Sequence, residues 1–543
     1  MKAANREMDA MMENRLIKVT KVRNTTWSEA RVKKALRCQP LYTQKTATEQ
    51  EIRDEGKAAK YMKIRLVAMD LKRRSRKHPN DVYVGVPGHT VVRLTIAATD
   101  LRTHSALPSS GDFFCAFLQA DKWPPGVTVD VIFYHPVWRC MVVAEATGPF
   151  YGMQVGGKDW KTTVGTDFLV KELGFEESKN QEGAYYHKAR DITLALWVDD
   201  PWMKCPLDKK TGEALEMHRL HKQLSDKFKM RNFQRLEPGK PLTYIGMRLS
   251  APNDGSGRIM IDSAEYIQEL LEGQGMTDCN PVKTPMGRQV LKEAASSPLL
   301  IGEDAKRPHR AVMITGLLRW LQSTTCPGIA VATSICKQFD SAPREGCKLL
   351  IHQLMRFLKG AQYKAICSNP DSNLGLVTEV DSDHAGEYAL TGNTASRTAI
   401  KITYKDMLVY WGSFKQVTVA DSSGIVELNA MAAGIKQLQG LHIRHIAEEL
   451  GIIEKGTMLR VYCDSKAALG FSENNGNTTK MNHIDIRKDW VRCVKDSENV
   501  DLHKIPTNDN GADHFSKIME RCEYERTGKG NQTELPAEMR YTL

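Results

Sequence analysis

The sequence lacks any apolar run that approaches the roughly 20 residues needed to cross a bilayer. Its first residues, MKAANREMDAMMENRLIK, are polar throughout and do not contain the apolar core of a signal peptide. Both absences argue against a membrane-inserted or secreted protein. We therefore expect a soluble intracellular chain with no membrane partner, located in the cytoplasm or the nucleus.

Paired cysteine motifs are also missing. The 12 cysteines are scattered from Cys38 to Cys522, with no CxxC pair and no Cys/His cluster at zinc-ligand spacing. This distribution fits neither a disulfide framework nor a zinc module as well as it fits reduced thiols. It predicts reduced thiols inside a cell.

The sequence also lacks the compositional bias of a disordered protein, since 41% of the residues are hydrophobic and 26% are charged. These values are typical of a globular protein, and 543 residues predict two to four domains. The formal net charge is +11, and the isoelectric point is near 8.9. A basic balance favours a polyanionic partner such as nucleic acid, although many basic proteins bind none.

Changes in pattern along the chain divide it into five segments. Residues 1–60 are charged and helix-prone, and we expect an extension with a poorly defined core. Residues 61–250 alternate short apolar runs with turn signals, whereas residues 251–370 are richer in helical spacing. Residues 371–520 predict strands, a long helix, and another strand and helix. Residues 521–543 have little apolar periodicity and are expected to form a flexible tail.

Two adjacent carboxylates, Asp199 and Asp200, follow the apolar run in LALWVDDPWMK. Asp-Asp-Pro after a strand is ordinary turn chemistry, and that interpretation stands on turn statistics alone. The alternative is a metal site that also uses Asp112, in GDFFCAFLQA. Two-metal phosphoryl transfer needs carboxylates from separate strands that converge on two Mg²⁺ ions. In such a site Asp112 and Asp199 would hold the metals, and Asp200 would support them.

These motifs resemble those of the reverse transcriptases of copia-type retrotransposons. The family patterns D-V-x-x-A-F-L, L-Y-G-L-x-Q-A-P-x-x-W and Y-V-D-D have counterparts here in the same order. The counterparts are DFFCAFL (residues 112–118), FYGMQVGGKDW (150–160), WVDD (197–200) and, for the later F-L-G-I strand, YIGMRLS (244–250). Further segments, TPM, TTCPGIA and RFLKG, resemble the region that joins polymerase to RNase H.

The resemblance implies roles for residues around the first aspartate. Phe117 lies where such enzymes place a ring against the sugar of the incoming nucleotide, which favours deoxynucleotides; the alternative is a core phenylalanine. Lys63, Arg65 and the basic run at residues 72–77 would contact template phosphates and the nucleoside triphosphate. As a plain charge run, the same cluster would be a solvated face or a nuclear-import signal.

One segment departs from the family pattern. Val155-Gly156-Gly157 stands where the family has Q-A-P, and Trp197 replaces the usual tyrosine. The change removes a hydrogen-bonding amide and places two glycines in succession. The metal ligands are retained, whereas the segment that positions the substrate is altered.

A second set of acids lies in the C-terminal third. The pattern places Asp381 at a strand end and Glu427 in the early turns of a long helix capped by Ser422 or Ser423. It also places Asp464 at a strand end and Asp513 at the start of the last helix, and Asp383 is an alternative to Asp381. Each acid alone would more often be a surface residue.

The order strand Asp, helix Glu, strand Asp, helix Asp is the D-E-D-D order of RNase H. The surrounding segments are similar to the copia-type version, namely VDSDHAG, VADSSGIVELNAMA, CDSKAAL, KMNHIDIRKDWVR and PTNDNGADHFSK. By resemblance, Asp381, Glu427, Asp464 and Asp513 bind two divalent ions that activate water for cleavage of RNA. His483, Asp485 and Arg487 are expected to cap a helix or contact the nucleic-acid backbone.

The chain is therefore identified as a copia-type retrotransposon Pol polyprotein fragment with an α/β (α+β) fold. Residues 61–250 would be reverse-transcriptase fingers and palm, 251–370 a thumb and helical connection, and 371–520 an RNase H-like mixed-sheet domain. The implied cofactor is Mg²⁺ or Mn²⁺, two ions per site, because all-oxygen sites accept either. The implied partners are an RNA template, a DNA primer, an RNA–DNA hybrid and deoxynucleoside triphosphates.

Two rival hypotheses remain open. In the first, a decayed element folds and binds nucleic acid but no longer polymerises, as Val155-Gly156-Gly157 suggests. In the second, only the RNase H half works as a nuclease.

Overall fold

The computed structural model describes residues 11–46, 60–70, 84–108, 113, 116–136, 138–230, 233–302, 310–417, 420–436, 440–473 and 482–540. Helices and sheets alternate throughout this part of the chain, which confirms the mixed α/β class. The strands are β1 (Leu16–Lys21), β2 (Leu36–Thr46), β3 (Lys60–Ala68), β4 (His104–Pro108), β5 (Val129–His135), β6 (Cys140–Ala146), β7 (Glu176–Glu177), β8 (Ala184–His187), β9 (Ile192–Trp197), β10 (Asp200–Pro206), β11 (Leu242–Tyr244), β12 (Met247–Ser250), β13 (Met260–Asp262), β14 (Lys364–Cys367), β15 (Leu376–Asp383), β16 (Arg397–Tyr404), β17 (Met407–Lys415), β18 (Leu459–Cys463), β19 (Val500–Lys504) and β20 (Thr533–Glu534).

The helices connect and cover these strands. They are α1 (Glu29–Lys34), α2 (His89–Ala97), α3 (Gly156–Lys161, continued by a π-helix at Thr162–Glu172), α4 (Leu215–Lys227), α5 (Ala264–Gly273), α6 (Arg288–Ser296), α7 (Arg310–Thr324), α8 (Ala330–Cys336), α9 (Cys347–Ala361), α10 (Tyr388–Thr391), α11 (Ser423–Ile435), α12 (Gly440–Glu449), α13 (Lys466–Glu473), α14 (Asn482–Ser497) and α15 (Arg521–Thr527). In the described residues, no helix is both long enough and apolar enough to span a membrane.

The first sheet has the strand order β1-β6-β5-β2-β3. It is antiparallel except for the parallel pair of β2 and β5. Leu16 and Cys38 are buried in one core with Phe133 and Val142. The expected extension with a poorly defined core is therefore wrong for residues 16–46, because their apolar side chains find partners in strands more than 80 residues away.

The second sheet, β4-β10-β9-β8-β7, is covered on both faces. From β9, Leu194 and Leu196 pack in one core with α4 and the π-helix. The intervening Ala195 packs in another core on the opposite face. A strand buried on both faces needs a continuous apolar run, which explains the sequence Leu-Ala-Leu-Trp before the two aspartates.

A third sheet, β11-β12-β13-β14-β20, borders the helices α5 to α9, which pack around a core of their own. The C-terminal residues complete this sheet, since β20 pairs with β14. Leu535 and Met539 are buried against Met260 and Ala365. The expected flexible tail is therefore wrong. These few apolar residues pack against distant parts of the chain, so the local periodicity of the sequence does not reveal their burial.

The fourth sheet, β17-β16-β15-β18-β19, is mixed, as expected for residues 371–520. β18 pairs in parallel with both β15 and β19, whereas β16 pairs antiparallel with both β15 and β17. The single long helix expected after Ser422 is instead two helices, α11 and α12, with residues 437–439 between them outside the described part. Asp513 lies in a 3-10 turn, Gly511–Phe515, and α15 follows it.

One core joins the second and fourth sheets. Trp202 and Ala195 of the second sheet belong to the same buried cluster as Ile400 and Leu428 of the C-terminal region. Arg93, on α2, crosses this contact and donates to the carbonyl of Val409 at 2.8 Å. The segments inferred from sequence are therefore not separate globules, because they share apolar surface.

Candidate functional sites

The paired aspartates lie on a β-hairpin at one end of the second sheet. β9 ends at Trp197 and pairs there with Asp200, the first residue of β10. Val198 and Asp199 form the two-residue turn, and both aspartates are half-buried. The turn interpretation is thus correct for the backbone, and it is compatible with a metal site because a hairpin turn presents adjacent carboxylates at a fixed place.

The turn has a strained backbone. Val198 has φ 58°, in the left-handed region, where a β-branched residue costs on the order of 1–2 kcal/mol. Trp160 donates its indole N–H to the Val198 carbonyl at 2.7 Å, and the Tyr244 hydroxyl donates to the Asp200 carbonyl at 3.2 Å. Both aromatic rings are almost fully buried. Two buried donors therefore hold the backbone on either side of Asp199.

His89 is a neighbour of the hairpin that the sequence did not single out. Its ring centroid lies 5.1 Å from that of Trp197, which takes the place of the family tyrosine. Burial, and then the charge of Arg93, lower the pKa of His89 to about 4. The imidazole is neutral at physiological pH and contributes an aromatic surface to the hairpin.

The first expected ligand, Asp112, lies outside the described residues, as do the basic residues 72–77 and the side chain of Lys63. Phe113 is described, and its backbone N–H donates to the Asp199 carbonyl at 3.4 Å. The segment that carries the first motif therefore meets the hairpin at Phe113.

Phe117 and Arg65 meet the same tyrosine. The Phe117 ring packs edge-to-face on Tyr151 at 5.4 Å, and the Arg65 guanidinium lies 5.0 Å from that ring. Phe117 is half-buried at the edge of a core, so it is neither a plain core residue nor fully exposed. The structure thus brings two of the three expected substrate-binding residues to one aromatic side chain.

The altered segment borders this group. A Cβ placed on Gly156 would lie 3.7 Å from the Phe117 ring, an ordinary contact. Gln154, the residue before the altered segment, is already used: its side-chain amide donates to the Asp70 carbonyl at 2.9 Å. Gln154 therefore does not replace the missing glutamine of the family pattern.

A cavity of about 820 Å³ lies beside Val155. Its walls include Lys33, Lys34 and Arg37, which belong to the segment expected to be an extension, and Trp123. The sequence did not predict that these three cations lie near Val155. Their position depends on the pairing of β2 with β5, which no local pattern reports.

The second site is built on two parallel strands. Val380 of β15 pairs with Cys463 of β18. The next residues, Asp381 and Asp464, are therefore neighbours near the carboxyl ends of these two strands. Asp464 directly follows β18, whereas the strand end expected at Asp381 is wrong, because β15 stays paired with β16 as far as Asp383. Glu427 comes from α11, and donor atoms of Glu427, Cys463 and Asp464 all lie within 4.8 Å of one another. Three elements of the fold thus bring these side chains together.

Asp513 lies at this end of the sheet and is paired with two basic side chains. Lys517 Nζ lies 2.8 Å from one of its carboxylate oxygens, and an Arg526 nitrogen lies 3.7 Å from the other. Asn510 ties the turn to the strand, since its side-chain amide donates to the Val380 carbonyl at 2.9 Å and approaches Asp381 Oδ1 at 3.5 Å. The sequence did not indicate the roles of Asn510 and Arg526.

Electrostatics distinguish Asp381 from the alternative, Asp383. Burial raises the pKa of Asp381 well above its ordinary value, and the charges of Glu427, Asp513 and Asp464 raise it further. Burial also raises the pKa of Asp383, but there the opposing charges are those of Lys517 and Arg397. Asp381 is therefore the carboxyl that experiences the other three acids.

Glu427 experiences the same repulsion. Burial, and then the charges of Asp464 and Asp513, raise its pKa to about 7, against hydrogen bonds from Ser382 that lower it. Within the described residues, no cation lies within salt-bridge distance of Glu427 or Asp464. Carboxylate oxygens are the ligands that Mg²⁺ and Mn²⁺ prefer, and a divalent cation here would remove the repulsion. The donor set therefore fits such an ion.

Comparisons with known proteins match the two regions unequally. A family described as "Reverse transcriptase (RNA-dependent DNA polymerase)" matches residues 26–288, which include the hairpin but not the second site. The "Retrovirus-related Pol polyprotein from transposon TNT 1-94" of Nicotiana tabacum is 24% identical over 543 residues, or 97% of this chain and 37% of that protein. The corresponding protein from transposon RE1 of Arabidopsis thaliana is 24% identical, over 90% of this chain and 31% of that protein.

The chain thus spans about a third of the length of these curated relatives. Among solved structures, it is similar to a foamy viral protease-reverse transcriptase in complex with double-stranded DNA. That similarity has a TM-score of 0.43 and 11% identity, and covers 82% of this chain and 63% of the other.

Proposed function

We propose that the chain copies RNA into DNA and degrades the RNA strand of the resulting hybrid. The proposal is supported by the reverse-transcriptase family that matches residues 26–288 and by the similarity of most of the chain to transposon Pol polyproteins. Polymerisation takes place at the hairpin of Asp199 and Asp200 together with Asp112. Hybrid cleavage takes place at Asp381, Glu427, Asp464 and Asp513. The partners are a primed RNA template, deoxynucleoside triphosphates and the RNA–DNA hybrid.

The observation that carries this proposal is the convergence of four acids on a mixed sheet that follows a reverse-transcriptase domain in the same chain. Asp381 lies near the carboxyl end of β15, and Asp464 directly follows the adjacent parallel strand β18. Glu427 and Asp513 approach from a helix and a turn. Two carboxylate sites in one chain are required if the same protein both extends a primer and removes the template.

Two Mg²⁺ ions at each site would activate the attacking oxygen, a primer 3′-hydroxyl or water, and stabilise the leaving group. The chain's own residues hold the carboxylates that bind these ions. Trp160 and Tyr244 fix the hairpin backbone, and Asn510 fixes the turn of Asp513 against β15. Preorganised carboxylates need little rearrangement when the ions and the nucleic acid bind.

Primer extension on a primed RNA template, with Mg²⁺ and deoxynucleotides, tests the polymerase site. The parent chain should extend the primer, and Asp199→Asn/Asp200→Asn should reduce extension by at least about 100-fold, because metal stabilisation is worth several kcal/mol. The same variant should retain hybrid cleavage, whereas Asp464→Asn should lose cleavage and retain extension. Equal loss of both activities in either variant would contradict two independent sites.

The altered Val155-Gly156-Gly157 segment supports a second candidate, a protein that binds nucleic acid and cleaves hybrids but polymerises poorly. The two glycines are the first two residues of the six-residue helix α3, and glycine loses more backbone entropy on folding than alanine does. Cβ atoms at both positions would lie no closer than 3.4 Å to their neighbours.

Restoring the family residues therefore tests whether this segment limits the polymerase. Val155→Gln/Gly156→Ala/Gly157→Pro should fit and should raise the rate of primer extension about tenfold or more, since one recovered hydrogen bond to substrate is worth about 1–2 kcal/mol. Gly156→Ala alone is the control for backbone stiffening. An unchanged rate in the triple variant would show that the segment does not limit extension.

A further inference from the structure

The proposed nuclease site contains one side chain that Mg²⁺ does not use. Cys463, the last residue of β18, is fully buried, and its Sγ lies 4.0 Å from Glu427 Oε2. Mg²⁺ prefers oxygen ligands and octahedral geometry, whereas Zn²⁺ binds thiolate and carboxylate in tetrahedral geometry. The thiol therefore adds to this site a donor suited to a different class of metal.

The thiol has a defined orientation. Leu459, Val461 and Cys463 are the buried residues of β18, so the strand directs them to the same side of the sheet. The backbone N–H of Ser465 donates to Cys463 Sγ at 3.4 Å, which keeps the sulfur beside the carboxylate of the intervening Asp464. Within the described part of the chain, Glu427, Cys463 and Asp464 are the one group of three donors with metal-binding proximity.

We propose that Glu427, Cys463 and Asp464 form an inhibitory site for zinc and for other borderline or soft divalent cations. The inhibition rests on the proposed nuclease function, since the occupying ion takes two carboxylates away from the catalytic Mg²⁺. The binding itself does not depend on that function.

The geometry is close to that required. In a tetrahedral zinc site, with metal–ligand distances of about 2.0–2.3 Å, neighbouring ligand atoms are roughly 3.5 Å apart. Here the donor atoms lie within 4.8 Å of one another and need to approach by about 1 Å. On binding, the S–H bond breaks as the S–metal bond forms, and the thiol proton passes to buffer. Water completes the coordination, and no oxidation or reduction occurs.

Cobalt(II) titration of the full chain tests the binding directly, because Co²⁺ replaces Zn²⁺ and a Co²⁺–thiolate bond gives an intense near-ultraviolet charge-transfer band. The parent chain should develop this band with one equivalent of Co²⁺ and lose it when Zn²⁺ is added. Cys463→Ser should not develop the band. As a control for the exposed thiols, Cys493→Ser/Cys522→Ser should develop the band as the parent does.

Because Cys463 is buried, a second variant guards against a folding defect. Glu427→Gln keeps the thiol and removes one carboxylate, and it should weaken Co²⁺ binding at least about tenfold. A band that persists in Cys463→Ser, or that disappears only in the exposed-cysteine control, would overturn the proposal.

Hybrid cleavage provides the functional readout. In Mg²⁺, cleavage by the parent should be inhibited by Zn²⁺, and Cys463→Ser should need at least about tenfold more Zn²⁺ for the same inhibition. Equal sensitivity of the two proteins would overturn the inhibitory role. If the chain cleaves no hybrid, the nuclease proposal fails, whereas the cobalt band still decides whether the metal site exists.

Discussion

At Glu427, burial and the charges of Asp464 and Asp513 raise the pKa to about 7, so the folded chain holds a proton there that the unfolded chain releases near pH 4.5. Between these two values the folded state binds more protons, and its stability falls as the pH rises. Glu427→Gln removes this titration. Without metal, we expect the Tm of the parent relative to that of Glu427→Gln to be lower at pH 8 than at pH 5.

Mg²⁺ should oppose this trend by binding the ionised carboxylates. We expect Mg²⁺ to raise the Tm of the parent more at pH 8 than at pH 5, and to raise that of Glu427→Gln much less. The exposed Glu454 offers a matched control, and Glu454→Gln should behave as the parent does. Parent and Glu427→Gln curves that remain parallel across this pH range would contradict the raised pKa.

At the scale of elements, the C-terminal segment is the part whose importance is easiest to test. Deleting residues 521–543 removes β20 from the edge of β14 and the buried side chains of Leu535 and Met539, each worth about 1.5–3 kcal/mol. It also removes Arg526, which lies beside Asp513. We expect a clearly lower urea midpoint and impaired hybrid cleavage.

Deleting residues 541–543 alone removes none of the described contacts and serves as the control for this truncation. A chain lacking 521–543 that unfolds at the same urea concentration as the parent would restore the interpretation of these residues as a flexible tail.

At the scale of the whole molecule, the second sheet and the fourth sheet share one buried cluster. Arg93 lies where the two sheets meet. Its guanidinium donates to the carbonyls of Val409, Ser323 and Thr324 and lies 4.2 Å from the Trp411 ring. Arg93→Met leaves three carbonyls without this partner, and we expect a loss of about 3 kcal/mol in the free energy of unfolding.

Because Arg93 joins the second and fourth sheets, Arg93→Met should reduce primer extension and hybrid cleavage together. In a urea titration of the parent, the two activities should be lost in the same single transition. Arg219→Met, which changes a largely exposed arginine on α4, should alter neither. Loss of one activity alone, or two separated transitions, would indicate halves that fold independently.

The local sequence was sufficient to predict where an acidic residue lies along a strand or a helix. Asp199 and Asp200 follow an apolar strand, Asp464 follows another, and Glu427 lies in the first turns of a helix, as the patterns predicted. Strand ends and helix starts are determined by neighbours within a few residues, so alternation and periodicity report them.

Periodicity was insufficient where an element's partner lies far along the chain. The strands within residues 16–46 and the segment at 533–539 carry weak local patterns, yet they are buried against Phe133 and Ala365 respectively. Their apolar residues are few and become informative only when the complementary surface is known.

The sequence by itself determined the class of fold, the order of the acidic residues along the chain and the similarity to reverse transcriptases, because these depend on residue identity and order. Only the tertiary structure decided that the N-terminal strands complete the first sheet, that Cys463 lies within reach of Glu427, and that the two halves share a core around Arg93. These features depend on the register between strands and on the packing of distant surfaces, and both arise from the summed burial of many side chains rather than from any local pattern.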